Sequence, residues 1–155
     1  MADLLVNLLK LPTFDNSEQD FSVRRAQPWE ITPLRHFVEI NFSRSWADEI
    51  SVGFARQPVS IFVATIDREL VGFAAYECTR RGYFGPTGVL PTEQGKGIGK
   101  ALLLASLAAL REMGYVYAII GNAGPVRFYQ KTVGAIVIPG SDPGIYTGSL
   151  KKPDS

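Results

Sequence analysis

Apolar residues along this chain of 155 positions fall into short alternating runs and longer helical ones. Leu4 to Leu9 is predicted as a strand that Pro12 ends, and residues 13–20 are a polar, acidic loop. Phe21 to Ala26 alternates apolar with polar, the period of a half-buried strand. Pro28-Trp29-Glu30 opens a helix over Ile31 to Phe42, with Leu34, Phe37, Val38 and Phe42 on one side. Ser45 is the expected N-cap of a second helix, Trp46 to Arg56. Val59 to Ile66 and Leu70 to Thr79 are strong strand runs joined by the turn Asp67-Arg68-Glu69. Tyr83 to Leu90 is a fourth run interrupted by Gly85-Pro86; a proline inside a strand marks an edge or a bulge. Gly97 to Met113 is predicted as a helix in which Ala101 to Leu110 is apolar almost all round, as in a helix packed deep against a sheet. After it come a strand over Tyr115 to Ile120, a short helix over Pro125 to Thr132, and a strand over Ala135 to Ile138. A last strand over Ile145 to Leu150 returns antiparallel to finish the sheet, followed by a polar tail at 151–155.

Composition narrows the classes. The chain suits one domain over residues 1–155, with 1–20 an added N-terminal strand and loop. Sixteen basic against fifteen acidic residues leave a net charge of +1, which argues against a nucleic-acid partner. Cys78 is the one cysteine and His36 the one histidine, so neither a disulfide framework nor a His/Cys metal site is expected. The apolar start is interrupted by Asp3 and Asn7 and has no basic leader. The apolar stretch Ala101 to Leu110 is too short to span a bilayer. A cytoplasmic protein with no membrane partner is the expectation.

The chemistry concentrates in Gly88-Val89-Leu90-Pro91-Thr92-Glu93-Gln94-Gly95-Lys96-Gly97-Ile98-Gly99-Lys100. A strand runs into a glycine loop and then a helix, whose first N–H groups lack partners and carry a partial positive charge. Such a start is an anion site, phosphate above all. The P-loop pattern G-x-x-x-x-G-K-[ST] fails: Gln94 stands at its first glycine and Ala101 follows Lys100. The dinucleotide pattern G-x-G-x-x-G fails too, whether started at Gly95 or Gly97. What remains is Gln94-x-x-Gly97-x-Gly99 behind Val89-x-Pro91, which by itself also suits a tight turn before a helix.

This stretch resembles the acyl-CoA pyrophosphate loop of the GNAT superfamily of acetyl-CoA-dependent N-acetyltransferases. A second stretch, Asn122-Ala123-Gly124-Pro125-Val126-Arg127-Phe128-Tyr129, resembles that family's N-x-x-A-x-x-F-Y, with Pro125 where alanine is usual. Gly134-Ala135 stands where the family has Gly-Phe. The resemblance covers residues 21–150. It implies a mixed, mostly antiparallel α/β (α+β) sheet, split at a V-shaped opening beside Gly85-Pro86 and flanked by about four helices.

The resemblance also implies acetyl-CoA as cosubstrate, no metal, and transfer to a primary amine of a small molecule or peptide by direct attack. The alternative is a non-catalytic acyl-CoA-binding module or sensor on the same fold. In family terms Val89 polarises the thioester and Leu90 adds a backbone contact. Gln94, Gly95, Lys96, Gly97, Gly99 and Lys100 hold the pyrophosphate, Asn122 bonds the pantetheine arm, and Tyr129 is the acid for the leaving thiolate. Tyr129 equally suits a core aromatic, and Asn122 a helix cap. The base is not marked by a motif. Glu77 is the best-placed carboxylate by position along its strand, and an exposed strand residue is the other way to read it. A cysteine nucleophile would want an orienting histidine, which Cys78 lacks. Arg44, Trp46, Phe54 and Tyr76 are candidates for the acceptor wall. A homodimer joined through the C-terminal strands follows from family analogy alone.

Overall fold

The computed structural model describes residues 1–14 and 19–153. Parts of the predicted 13–20 loop and of the tail therefore lie outside the described residues. Seven strands form one sheet: β1 (Leu4–Asn7), β2 (Ser22–Arg25), β3 (Ile61–Ile66), β4 (Glu69–Tyr76), β5 (Tyr83–Val89), β6 (Tyr117–Ile120) and β7 (Ile136–Val137). Their spatial order is β2-β3-β4-β5-β6-β1-β7. Every neighbouring pair is antiparallel except β5 and β6. The helices are α1 (Ile31–Asn41), α2 (Arg44–Ile50), α3 (Ile98–Glu112) and α4 (Val126–Val133).

Two apolar clusters lie on opposite faces of this sheet. One joins Leu34, Val38, Ala47 and Ile50 of α1 and α2 to Ile61, Val63 and Phe73. The other joins α3 and Tyr129 and Val133 of α4 to Leu4, Val6, Ala74 and Phe84. α3 sinks so far into its face that even Ser106 is fully buried. The Ser106 hydroxyl donates to Leu102 O at 2.9 Å, so burial leaves no polar group unmatched. Gly88 lets the first face close. A Cβ there would lie 2.5 Å from the Phe42 ring, which stacks on Trp46 and meets Phe73 edge-on.

The mixed, mostly antiparallel sheet with four helices agrees with the expectation. Several boundaries do not. Asp67 and Arg68 both have positive φ, 50° and 67°, so β3 and β4 are joined by a two-residue turn of the kind whose twist suits hairpins, without glycine. Ser43, not Ser45, caps α2 by accepting from Trp46 N at 3.1 Å. The helix ends at Ile50 and tightens into a 3-10 turn, Ser51–Ala55, instead of running to Arg56.

The larger correction concerns the two chain ends. β1 is not an addition at the margin. It lies inside the sheet, antiparallel to both β6 and β7. Ile145 to Leu150, expected as a last antiparallel strand, forms none, and β7 stands at the edge of the sheet. Asp3, 7% exposed, ties this end in: its carboxylate accepts from Asn122 N at 2.8 Å and its amide donates to the Ser141 hydroxyl at 2.8 Å.

Candidate active site

The opening in the sheet starts at a bulge. Ala74 pairs with Thr87 and Tyr76 with Phe84, so β5 carries one residue more than β4 across Gly85-Pro86. Before the bulge, Tyr83 and Phe84 pair in parallel with Ile119 and Ile120. Beyond it β6 has ended, and the chain leaves through 121–125 towards α4.

The edge of β5 beyond the bulge is therefore unpaired, and its register says which groups are free. Leu90 N donates to Val71 O at 2.9 Å. Antiparallel ladders alternate bonded with unbonded pairs, so Gly72–Val89 and Ala74–Thr87 are unbonded pairs. The backbone N–H and C=O of Thr87 and Val89 point away from β4, into the opening. An extended chain bearing amides can pair there as an added strand would. Leu90 is different from the expectation: Val71 takes its N–H, and its C=O accepts from Glu93 N at 2.9 Å. Thr87 is the residue that motif matching missed, because ladder parity is invisible without the register.

At the end of β5 a 3-10 turn, Pro91–Glu93, leads to the glycine loop. Gly97 is the N-cap of α3 at φ 86°, a conformation that side chains resist. The first helical bond is from Ala101 N to Gly97 O at 3.0 Å, so the amides of Gly97, Ile98, Gly99 and Lys100 have no partner in the helix. Gln94 is partly committed. Its amide donates to Pro91 O at 3.4 Å, and its side chain to Val89 O at 3.4 Å. Lys96 reaches back to pair with Glu93.

A groove of about 420 Å³ joins these parts on the α3–α4 face, lined by Thr87, Val89, Gln94, Gly99, Pro125 and Tyr129 among others. Tyr129 is 5% exposed and packs edge-on against Phe84. Burial pushes its hydroxyl up to about 12, so it holds its proton at neutral pH. No hydrogen bond engages that hydroxyl among the described residues. The free β5 edge, the unpaired helix amides and this groove fit a long phosphorylated pantetheine ligand.

A second cleft, about 430 Å³, opens on the α2 side, with Trp46, Glu49, Tyr83, Pro86, Asn122 and Tyr146 in its wall. Phe84, at the bulge, lines both cavities. Asn122, at φ 50°, belongs to this second cleft and not to the groove. Arg44, Phe54 and Tyr76 line neither cavity, while Trp46 lines the cleft.

Glu77 stands apart from both. It follows β4 at φ 60°, 3% exposed, with its carboxylate taken up by Gly82 N and by Arg56 at 3.8 Å. It lines another cavity with Arg25, Tyr76 and Met113, at the C-terminal end of α3. From Gly99 to Ala109, which flanks that cavity, is about 15 Å along the helix. Glu77 falls just past the end of β4, where the turn directs its carboxylate to Gly82 N and not to the groove or the cleft. Cys78 is buried against Ser60 and Ile50, and burial pushes its thiol up to about 11, which suits a core residue and not a nucleophile.

The model of the acetyltransferase (GNAT) family matches residues 15–135. No curated protein matches the chain. Three solved structures illustrate the fold. A GCN5-related N-acetyltransferase from Sphaerobacter thermophilus superposes with a TM-score of 0.71 at 19% identity over 88% of this chain and 48% of its own. The glucosamine N-acetyltransferase region of a fungal multi-domain β-N-acetylglucosaminidase gives 0.70 at 18%, over 88% and 19%. A GNAT acetyltransferase from Brucella melitensis, solved with acetyl-CoA, gives 0.57 at 21%, over 88% and 95%. The chain thus spans less than half of the first two proteins. It belongs to the GNAT acetyltransferase family.

Proposed function

We propose that the chain is an N-acetyltransferase that moves an acetyl group from acetyl-CoA to a primary amine by direct attack. The observation that carries this is the groove that brings together the free edge of β5, the start of α3 and Tyr129. Acetyl-CoA supplies the activated thioester. Thr87 and Val89 hold the pantetheine arm through their backbone, and an N–H on that edge stabilises charge that develops on the carbonyl oxygen. The amides of Gly95, Lys96, Gly97, Ile98, Gly99 and Lys100 hold the pyrophosphate. The Tyr129 hydroxyl gives its proton to the departing thiolate.

The balance is simple. A protonated amine and the thioester give an amide, the free CoA thiol and one proton. The new bond is nitrogen to carbonyl carbon, and the bond that breaks is carbonyl carbon to sulfur. The amine sheds its protons through the α2-side cleft, and Tyr129 is reprotonated from solvent. Glu77 has a structural role in this scheme, holding the β4–β5 turn. The test is thiol release from acetyl-CoA in the presence of primary amines. Amine-dependent release with a matching acetamide product supports transfer; tight binding without release supports the non-catalytic sensor instead.

A further inference from the structure

The α2-side cleft is specific in its chemistry. Among its lining residues Glu49 is the one carboxylate and Lys152 the one ammonium. The remaining polar wall is neutral: Ser45, Thr79, Tyr83, Asn122 and Tyr146. Glu49 is also fixed in place. Thr79 Oγ1 donates to its Oε2, and Tyr146 Oη donates to the same oxygen at 2.8 Å. Oε1 accepts nothing from the described residues. A carboxylate has about four acceptor sites, so Glu49 retains capacity for a cationic donor. Tyr146 is there because of the topology. Residues 145–152 stand outside the sheet, and Tyr146 reaches α2 at Glu49.

Resting on the acetyl-transfer reading above, we infer that Glu49 receives the acceptor's ammonium and that the acceptor is a small monoamine carrying neutral hydroxyl groups, of the amino-sugar or amino-alcohol kind. A polyamine would bring further cations towards a wall with one carboxylate and a lysine. An aryl amine would leave the hydroxyls and the Asn122 amide facing apolar surface, which costs their desolvation. A hydroxylated body answers both. The ring of Trp46, held by Phe42 and Phe73, gives such a body one apolar wall.

The experiment measures acetyl transfer to glucosamine, ethanolamine, spermidine, phenethylamine and a tripeptide with a free amino terminus, with acetyl-CoA affinity taken separately by calorimetry. Glucosamine or ethanolamine is expected to lead by about 10-fold or more in kcat/KM. Glu49→Gln, which keeps the shape of the side chain, is expected to raise the KM for that acceptor by about 10- to 100-fold, with acetyl-CoA affinity unchanged. Tyr146→Phe should raise the same KM by about threefold. Preference for spermidine, phenethylamine or the tripeptide overturns the inference, and so does an unchanged KM in Glu49→Gln. Binding of acetyl-CoA with none of the amines acetylated also overturns it. Failure of acetyl-CoA to bind the wild type is a different result, because it removes the acetyl-transfer reading itself.

Discussion

The groove on the α3 face and the cleft on the α2 face share Phe84 in their walls, yet they are built from different material. The groove is mainly backbone: free amides on the β5 edge and at the start of α3. The cleft is mainly side chains, from α2, the β4–β5 turn, the β6–α4 connection and the C-terminal segment. Backbone recognition suits a ligand that does not change, because it depends on φ, ψ and register and tolerates many side chains. Side-chain recognition suits a ligand that differs between relatives. On the proposed function, the cosubstrate and the acceptor of this molecule are divided along that line.

Substitutions should therefore separate the two regions. The largest effect is expected from Tyr129→Phe, in the groove, where kcat should fall by on the order of 10²-fold while acetyl-CoA affinity stays within about twofold. A rate equal to wild type would remove Tyr129 as the acid. Next is Gly97→Val. Holding a β-branched residue at φ 86° costs on the order of 1–3 kcal/mol, and the loop relieves this by leaving its binding conformation. Acetyl-CoA affinity should weaken by about 10- to 100-fold, without a matching change in the KM for the amine. Equal losses for both ligands would mean that groove and cleft do not divide as described.

Glu77→Gln tests a third region, outside both. The amide still accepts from Gly82 N–H but loses the charge that faces Arg56, which should lower stability by about 1–3 kcal/mol, seen as a melting temperature lower by several degrees, with kcat nearly unchanged. A large loss of kcat in a protein of normal stability would return Glu77 to the site. The smallest effect is one of pH. An ordinary tyrosine titrates near 10, but burial raises Tyr129 to about 12. The acid form therefore persists through pH 11, and kcat should show no decline between pH 9 and 11. A decline with a midpoint near 10 would show that Tyr129 titrates as an exposed phenol.

The same division explains what could be read from the chain. The glycine loop was legible because backbone demands leave marks at fixed spacing: proline after β5, glycine at the N-cap with positive φ, a long apolar helix behind. The bulge at Gly85-Pro86 was legible for the same reason. The role of Thr87 was not, since it follows from ladder parity, which a single strand does not display. Leu90 was misjudged on the same ground. The surroundings of Glu49 were not legible either, since Thr79 and Tyr146, 30 and 97 positions away, converge on it only in the fold. The chain ends show the limit most clearly. Leu4–Asn7 and Ile145 to Leu150 both have strand character, but propensity does not say which segment finds a partner, and only the first pairs into the sheet.

The central claim is that the backbone track of β5 and α3 is a seat for acetyl-CoA. Calorimetric titration of the purified protein with acetyl-CoA, and with ATP and NADH in parallel, tests it most directly. The account predicts saturable binding of one acetyl-CoA per chain, with ATP and NADH far weaker. Binding of ATP or NADH with none of acetyl-CoA would contradict it, and the roles given to Thr87, Val89 and Tyr129 would fall with it.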